Sequence, residues 1–191
     1  QRLIDAWSDE TPRDPRLLRI AKAIAGESGD DALDQLSPPK ADMPSSNKAT
    51  ERPQEEQTLK TAQRVYRWVM NNVEPDREND ARKVIIGKRG NRTAAFLYLC
   101  RLLGLDVSLG VVRDRLAAPP TGPFSEAESF DSLAVRIAGP KQPMWMVVRD
   151  KFAPFGFLPS SLRGQPAVVL KPGAPREPTP AAGVPDGVTH A

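Results

Sequence analysis

The chain has 191 residues but only one cysteine and one histidine, and their positions bound the chemistry open to it. Cys100 lies deep in the apolar run "TAAFLYLCRLL", where a thiol reads as a small buried hydrophobe rather than a nucleophile. His190 is next to last, behind a proline-rich stretch, and is poorly placed to serve as a general base. One Cys with one His builds no zinc site without carboxylate help, and a lone Cys makes no internal disulfide. No metal and no cofactor are therefore expected. The remaining position of interest is Asn91, where the glycine turn "GKRGN" feeds the apolar run. A helix that starts after such a turn presents unpaired backbone N–H groups and the positive end of its dipole, which favours an anion or a low-pKa thiol. Asn91 itself is not ionisable. Its side chain suits a helix N-cap or a contact to a ligand. Asp131 and Asp150, each at one end of an apolar run, are the residues that would act as paired carboxylates in an enzyme of another kind.

The elements that must position these residues can be read from periodicity. Residues 14–25, "DPRLLRIAKAIA", open with Asp14 as N-cap and Pro15 at the first helical position, place Leu17, Ile20, Ala21 and Ile24 on one face, and end near Gly26. Residues 57–73 place Leu59, Ala62, Tyr66, Val69 and Val73 at helical spacing, with Val65 and Trp68 widening the stripe. The helix at about 91–103 is apolar on nearly every side, so it is expected to be buried all round, with Gly104 closing it. Three period-two runs follow, at 107–111, 133–137 and 144–148, and a short strand at 167–170. Proline- and glycine-rich turns separate them, which predicts an antiparallel sheet. The fold class expected is α+β, with N-terminal helices and a buried central helix packed on that sheet. The aromatic residues Trp68, Trp145, Phe152, Phe155 and Phe157 read as packing residues.

Composition narrows the classes further. The chain carries 13 Gly and 20 Pro, and 27 basic against 24 acidic residues give a formal net charge of +3. The two signs are interleaved rather than clustered, so no nucleic-acid footprint is read. No apolar run reaches the roughly 18 residues of a membrane span, so no direct membrane insertion is expected, and "QRLIDAWSDE" lacks the apolar region of a signal peptide. Residues 1–13 form an N-terminal segment, and residues 14–170 form one domain. Polar residues 27–56 are too poor in apolar groups to offset their ordering entropy and read as a mobile insertion. Residues 171–191 read as a proline-rich linker or tail, which would join a further domain.

Four segments together resemble one known family. The helix "TLKTAQRVYRWVMNNV", the stretch "ARKVIIGKRGNRTAAFLYLCRLLGLDVSLGVV", the strand "FDSLAV" and the segment "APFGFLPSSLRGQPAVVL" resemble the transglutaminase-like branch of the papain-like thiol hydrolases. The branch in question is bacterial and often follows a β-sandwich domain of unknown function. The resemblance implies that the nucleophilic cysteine position falls on Asn91, the histidine position on Ser132 beside Asp131, and the third member of the triad on Asp150. With amide and hydroxyl groups at the first two positions, no thiolate can be generated. The function implied is a catalytically inactive domain that serves as a protein-binding or structural module. Its partner would be a polypeptide segment or a neighbouring domain of the same protein. The candidate ligand-binding residues are Asn91, Arg92, Asp131, Ser132 and Asp150, which should face one another. The alternatives are a hydrolase using Asp131 and Asp150, and a spacer in a larger envelope protein. The family's bacterial members are often extracytoplasmic, which implies a periplasmic or envelope setting.

Overall fold

A computed structural model describes residues 14–26, 51–117, 130–139, 142–149, 151–171 and 176–180. The expected N-terminal segment 1–13 and residues 27–50 of the expected insertion lie outside these. Helix α1 (Pro15–Ala25) begins as its sequence dictates, with the Asp14 side chain accepting from the Arg16 and Leu17 amides. It ends at Gly26, whose φ of 81° suits a residue without a Cβ. Leu17, Ala21 and Ala25, four residues apart, form its buried line.

Helix α2 (Glu51–Asn72) starts six residues before the expected boundary at 57. The polarity of residues 51–56 places them in the expected insertion. Glu and Gln are nonetheless good helix formers, and a helix can extend past its apolar stripe into solvent. An i,i+4 pair between Glu56 and Lys60 at 2.6 Å lies on that extension. Further on, Ala62, Val65, Tyr66, Val69 and Met70 are buried. A short helix α3 (Ala81–Gly87), capped by Asp80, buries Val84 and Ile85.

Helix α4 (Arg92–Leu102) is the centre of the molecule. Ala94, Ala95, Phe96, Leu97, Leu99 and Cys100 are all buried, and the helix contacts α1, α2, α3 and the first strand. Its cap is Leu103 rather than Gly104; Gly104 follows with φ 74° and donates its N–H to the Arg101 carbonyl at 3.0 Å.

The sheet comprises β1 (Val107–Arg113), β2 (Phe130–Ile137), β3 (Met144–Met146), β4 (Pro166–Val169) and β5 (Arg176–Pro178), in the order β3-β2-β1-β4-β5. Every pairing is antiparallel. The fold is thus α+β, with the buried helix on an antiparallel sheet. Alternation along the strands makes two cores. Val107, Leu109, Val135, Ile137 and Met146 join the helices, while Val112, Ala134, Trp145, Ala167 and Val169 pack with Leu158 and Leu162 on the opposite face. A 3-10 turn at Ser160–Leu162 helps cover that second face.

Three expectations need correction here. The tail is not all linker: β5 adds a fifth strand to the sheet, and Thr179 beyond it is buried, donating its hydroxyl to the Leu162 carbonyl at 2.5 Å. Local composition misled because one β pairing and one anchor suffice to order a proline-rich segment. Phe152 is 95% exposed rather than packed. The third run yields strand only over Met144–Met146, because the Val147 N–H turns to the Phe157 carbonyl at 3.0 Å.

Candidate functional site

The start of α4 is assembled from its own chain and from the loop at 74–80. Backbone bonds join Glu74 to Lys88 and to Gly90, and the Asn91 amide donates to the Glu78 carbonyl at 2.8 Å. An Arg89–Asp76 ion pair at 2.7 Å lies across the same loop. Asp80 caps α3 through the Arg82 amide. Burial opposes ionisation of Asp80, but bonds from the Arg82 and Lys83 amides and the Arg82 charge outweigh it and hold its carboxyl below the usual range.

Asn91 is the N-cap of α4. Its Oδ1 accepts from the Thr93 amide at 3.0 Å and the Ala94 amide at 3.2 Å, and its Nδ2 donates to Asn79 Oδ1 at 2.9 Å. Both ends of the amide are therefore engaged, and two of the helix's orphan N–H groups are already satisfied. Asn91→Ala should cost about 1 kcal/mol of stability. Asn91→Asp should keep most of it, because the carboxylate still accepts at a helix N-terminus. Chemical denaturation of the two variants checks this, and equal losses for both would remove the capping role.

Arg92, the next candidate, points inward. It is 9% exposed, with Nε donating to the Val73 carbonyl at 2.8 Å and Nη1 to the Arg149 carbonyl at 3.2 Å. Thr93 adds a hydroxyl bond to the Val148 carbonyl at 3.2 Å. The chain at Val148 and Arg149 is thus tied to the start of α4. Asp150 itself lies outside the described residues, as does the side chain of Asp131.

Ser132 is not brought to the same place. It pairs with Val112, and its neighbours in alternation are Ala134 and Arg136; Val112 and Ala134 both belong to the core on the far side of the sheet. The α4 side at this level is taken by Leu133, which is 50% exposed. Arg113 pairs with Phe130 while Val112 pairs with Ser132, so Asp131 is the extra residue of a bulge. The expected facing of Asn91 and Ser132 therefore fails. Residues 132–137 pair with β1 in unbroken register, so the alternation that turns Val135 and Ile137 towards the helices turns Ser132 away, which a match by residue type does not weigh.

Cys100 is fully buried, and burial pushes its thiol well above the usual range. Among the described residues no group of three or more His, Cys, Asp or Glu side chains could hold a metal ion, and no helix is long and apolar enough to cross a membrane.

The sequence reading missed a cavity of about 230 Å³ at the other end of α4, lined by Arg101, Leu105, Asp106, Val107, Ser108, Leu170 and Lys171. An exposed Lys171–Asp106 pair at 3.3 Å spans part of it, and Arg101, partly buried so that its guanidinium pKa is lowered, feels the Asp106 charge as well. The only local signal was a basic residue in the last turn of α4 and an acid just beyond it. Lys171 is 65 positions from Asp106 and could not be placed with them.

No family model matches the chain, and no curated protein matches it. Among solved structures it is similar to a protein from Parabacteroides distasonis described as a "putative protease", at 11% identity and a TM-score of 0.49. That match covers 89% of this chain and 28% of the other, so this chain spans little more than a quarter of that protein's length.

Proposed function

We propose that this chain is a catalytically inactive, transglutaminase-like domain that acts as a polypeptide-binding module. The observation that carries the reading is the state of Asn91: at the position where the family resemblance calls for a nucleophile, the side chain is committed to capping α4 and to Asn79. The buried Cys100 supports it, since a thiol with a raised pKa and no solvent contact has neither the thiolate nor the access that nucleophilic catalysis needs. A domain of this build still presents strand edges, and main-chain hydrogen bonding to an extended partner needs no triad.

Two measurements test this. In the folded protein, alkylation of Cys100 by a maleimide should be slow, remain slow at pH 9, and become fast only in denaturant. Incubation with casein and a fluorescent primary amine should give no incorporation, and fluorogenic peptides should not be cleaved. Fast labelling of folded protein together with turnover that the label abolishes would overturn the reading. So would turnover lost in an Asp150→Asn variant that still folds.

A further inference from the structure

We propose that the outer face of α1 and α2 is a docking surface for an acidic polypeptide segment. The proposal rests on the binding reading above and deepens it by naming a surface and the chemistry of its partner. Periodicity places the cations. On α1 the exposed residues Arg16, Arg19, Ala23 and Gly26 follow at intervals of three and four and so share one face, with the half-buried Lys22 beside it. On α2 the exposed residues Lys60, Arg64, Arg67 and Asn71 do the same, and the three cations run over about 10 Å. The two rows meet. Arg64 Nη1 donates to the Ala25 carbonyl, and a Cβ added to Gly26 would lie 2.9 Å from that nitrogen. The bond satisfies a carbonyl at the end of α1 and leaves the guanidinium charge in place.

Charge then decides what fits. Residues 15–26 and 57–73 hold these six cations and no carboxylate. Take the six away and the rest of the chain carries 21 basic against 24 acidic residues, so the net positive charge of the protein belongs to this face. Among the described residues, Lys60 pairs with the exposed Glu56, and no carboxylate lies within ion-pair distance of the other five cations. Cations crowded on one face repel one another, and a row of carboxylates relieves that while gaining charge-assisted hydrogen bonds. A short acidic segment meets this face alone, whereas a long polyanion such as a nucleic acid also meets the net negative remainder. Among the described residues the exposed large apolar side chains, Ile86, Leu116, Leu133 and Phe152, lie outside both helices, so this face offers no wedge to a bilayer.

The test uses the full chain and fluorescence anisotropy with a labelled dodecapeptide of alternating glutamate and serine. The same peptide with glutamine for glutamate is the control. The glutamate peptide should bind, about tenfold more weakly when salt is raised from about 50 to about 300 mM, and the glutamine peptide should not. Arg19→Glu with Arg67→Glu should weaken binding about tenfold, whereas Arg149→Glu with Lys151→Glu, the same change of charge at exposed sites elsewhere, should leave it within about twofold. All four residues are exposed, so the melting curves of both variants should match the parent. Equal losses in the two variants, or no loss in either, would overturn this surface. Binding confined to a variant with Glu27, Asp30, Asp31 and Asp34 replaced by their amides would assign the face to acids of this chain and overturn it as well. So would tighter binding of a DNA duplex or of phosphatidylserine vesicles, lost in Arg19→Glu with Arg67→Glu. Failure of the glutamate peptide to bind overturns the surface alone, because the inactive-module reading falls only with the turnover described above.

Discussion

Replacing Gly90 by alanine is expected to destabilise the protein by about 4 kcal/mol, combining backbone strain and overpacking. For a chain of this size that corresponds to a fall of roughly 10 °C in melting temperature. Gly90 has a φ of 139°, a region that residues with a Cβ rarely enter. An added Cβ would lie 2.5 Å from Val84 Cγ2 and 2.7 Å from the Glu78 carbonyl oxygen. Val84 is fully buried, so it cannot move aside cheaply, and the Glu78 carbonyl already accepts from the Asn91 amide. Relief would thus have to come from the turn that sets Asn91 at the start of α4. Gly87→Ala provides the contrast: nothing lies within 4 Å of its added Cβ, and the residue closes a helix. That substitution should be neutral or stabilising by a few tenths of a kcal/mol. Thermal and urea melts of the two variants decide the matter, and a Gly90→Ala loss below about 1 kcal/mol would show that the turn is not held as described.

Arg92→Ala should have the second largest effect, about 3 kcal/mol. Its two bonds to the Val73 and Arg149 carbonyls join the end of α2, the start of α4 and the chain beyond β3. Hydrogen bonds from a charged donor are worth about 1.5–3 kcal/mol each, and truncation leaves acceptors without partners. Arg92→Lys should recover only part of the loss, because an ammonium cannot reproduce the spread of a planar guanidinium. Hydrogen exchange adds a readout specific to this role: amides at 147–149 should exchange faster in Arg92→Ala than those of β1. A stability within 0.5 kcal/mol of the parent, or uniform exchange, would make Arg92 a surface charge and return it to the list of ligand-binding candidates.

The α+β class, α1 with its Asp14 cap, the all-round burial of α4 and the inert setting of Cys100 were legible in the amino-acid order. Each depends on interactions within a few residues: a cap reaching the next turn, a period of 3.6 or 2, or the absence of polar side chains around a thiol. Asn91 as a cap was legible for the same reason. Its bond to Asn79 was not, since a loop had to carry Asn79 back to the helix start. The face of Ser132 follows from plain alternation with Leu133, Val135 and Ile137, whereas the bulge at Asp131 exists only once β2 meets β1. The order of β5 depended on a pairing with β4 that proline content argued against. The cavity lined by Arg101, Asp106 and Lys171 joins α4, the chain entering β1 and the chain leaving β4. No sequence window contains all three, because their proximity is a consequence of how the sheet is ordered on α4 rather than of any local preference. Residue chemistry by itself therefore determined the caps, the periodicities and the burial of α4, and only the tertiary structure decided which residues from distant segments share a surface.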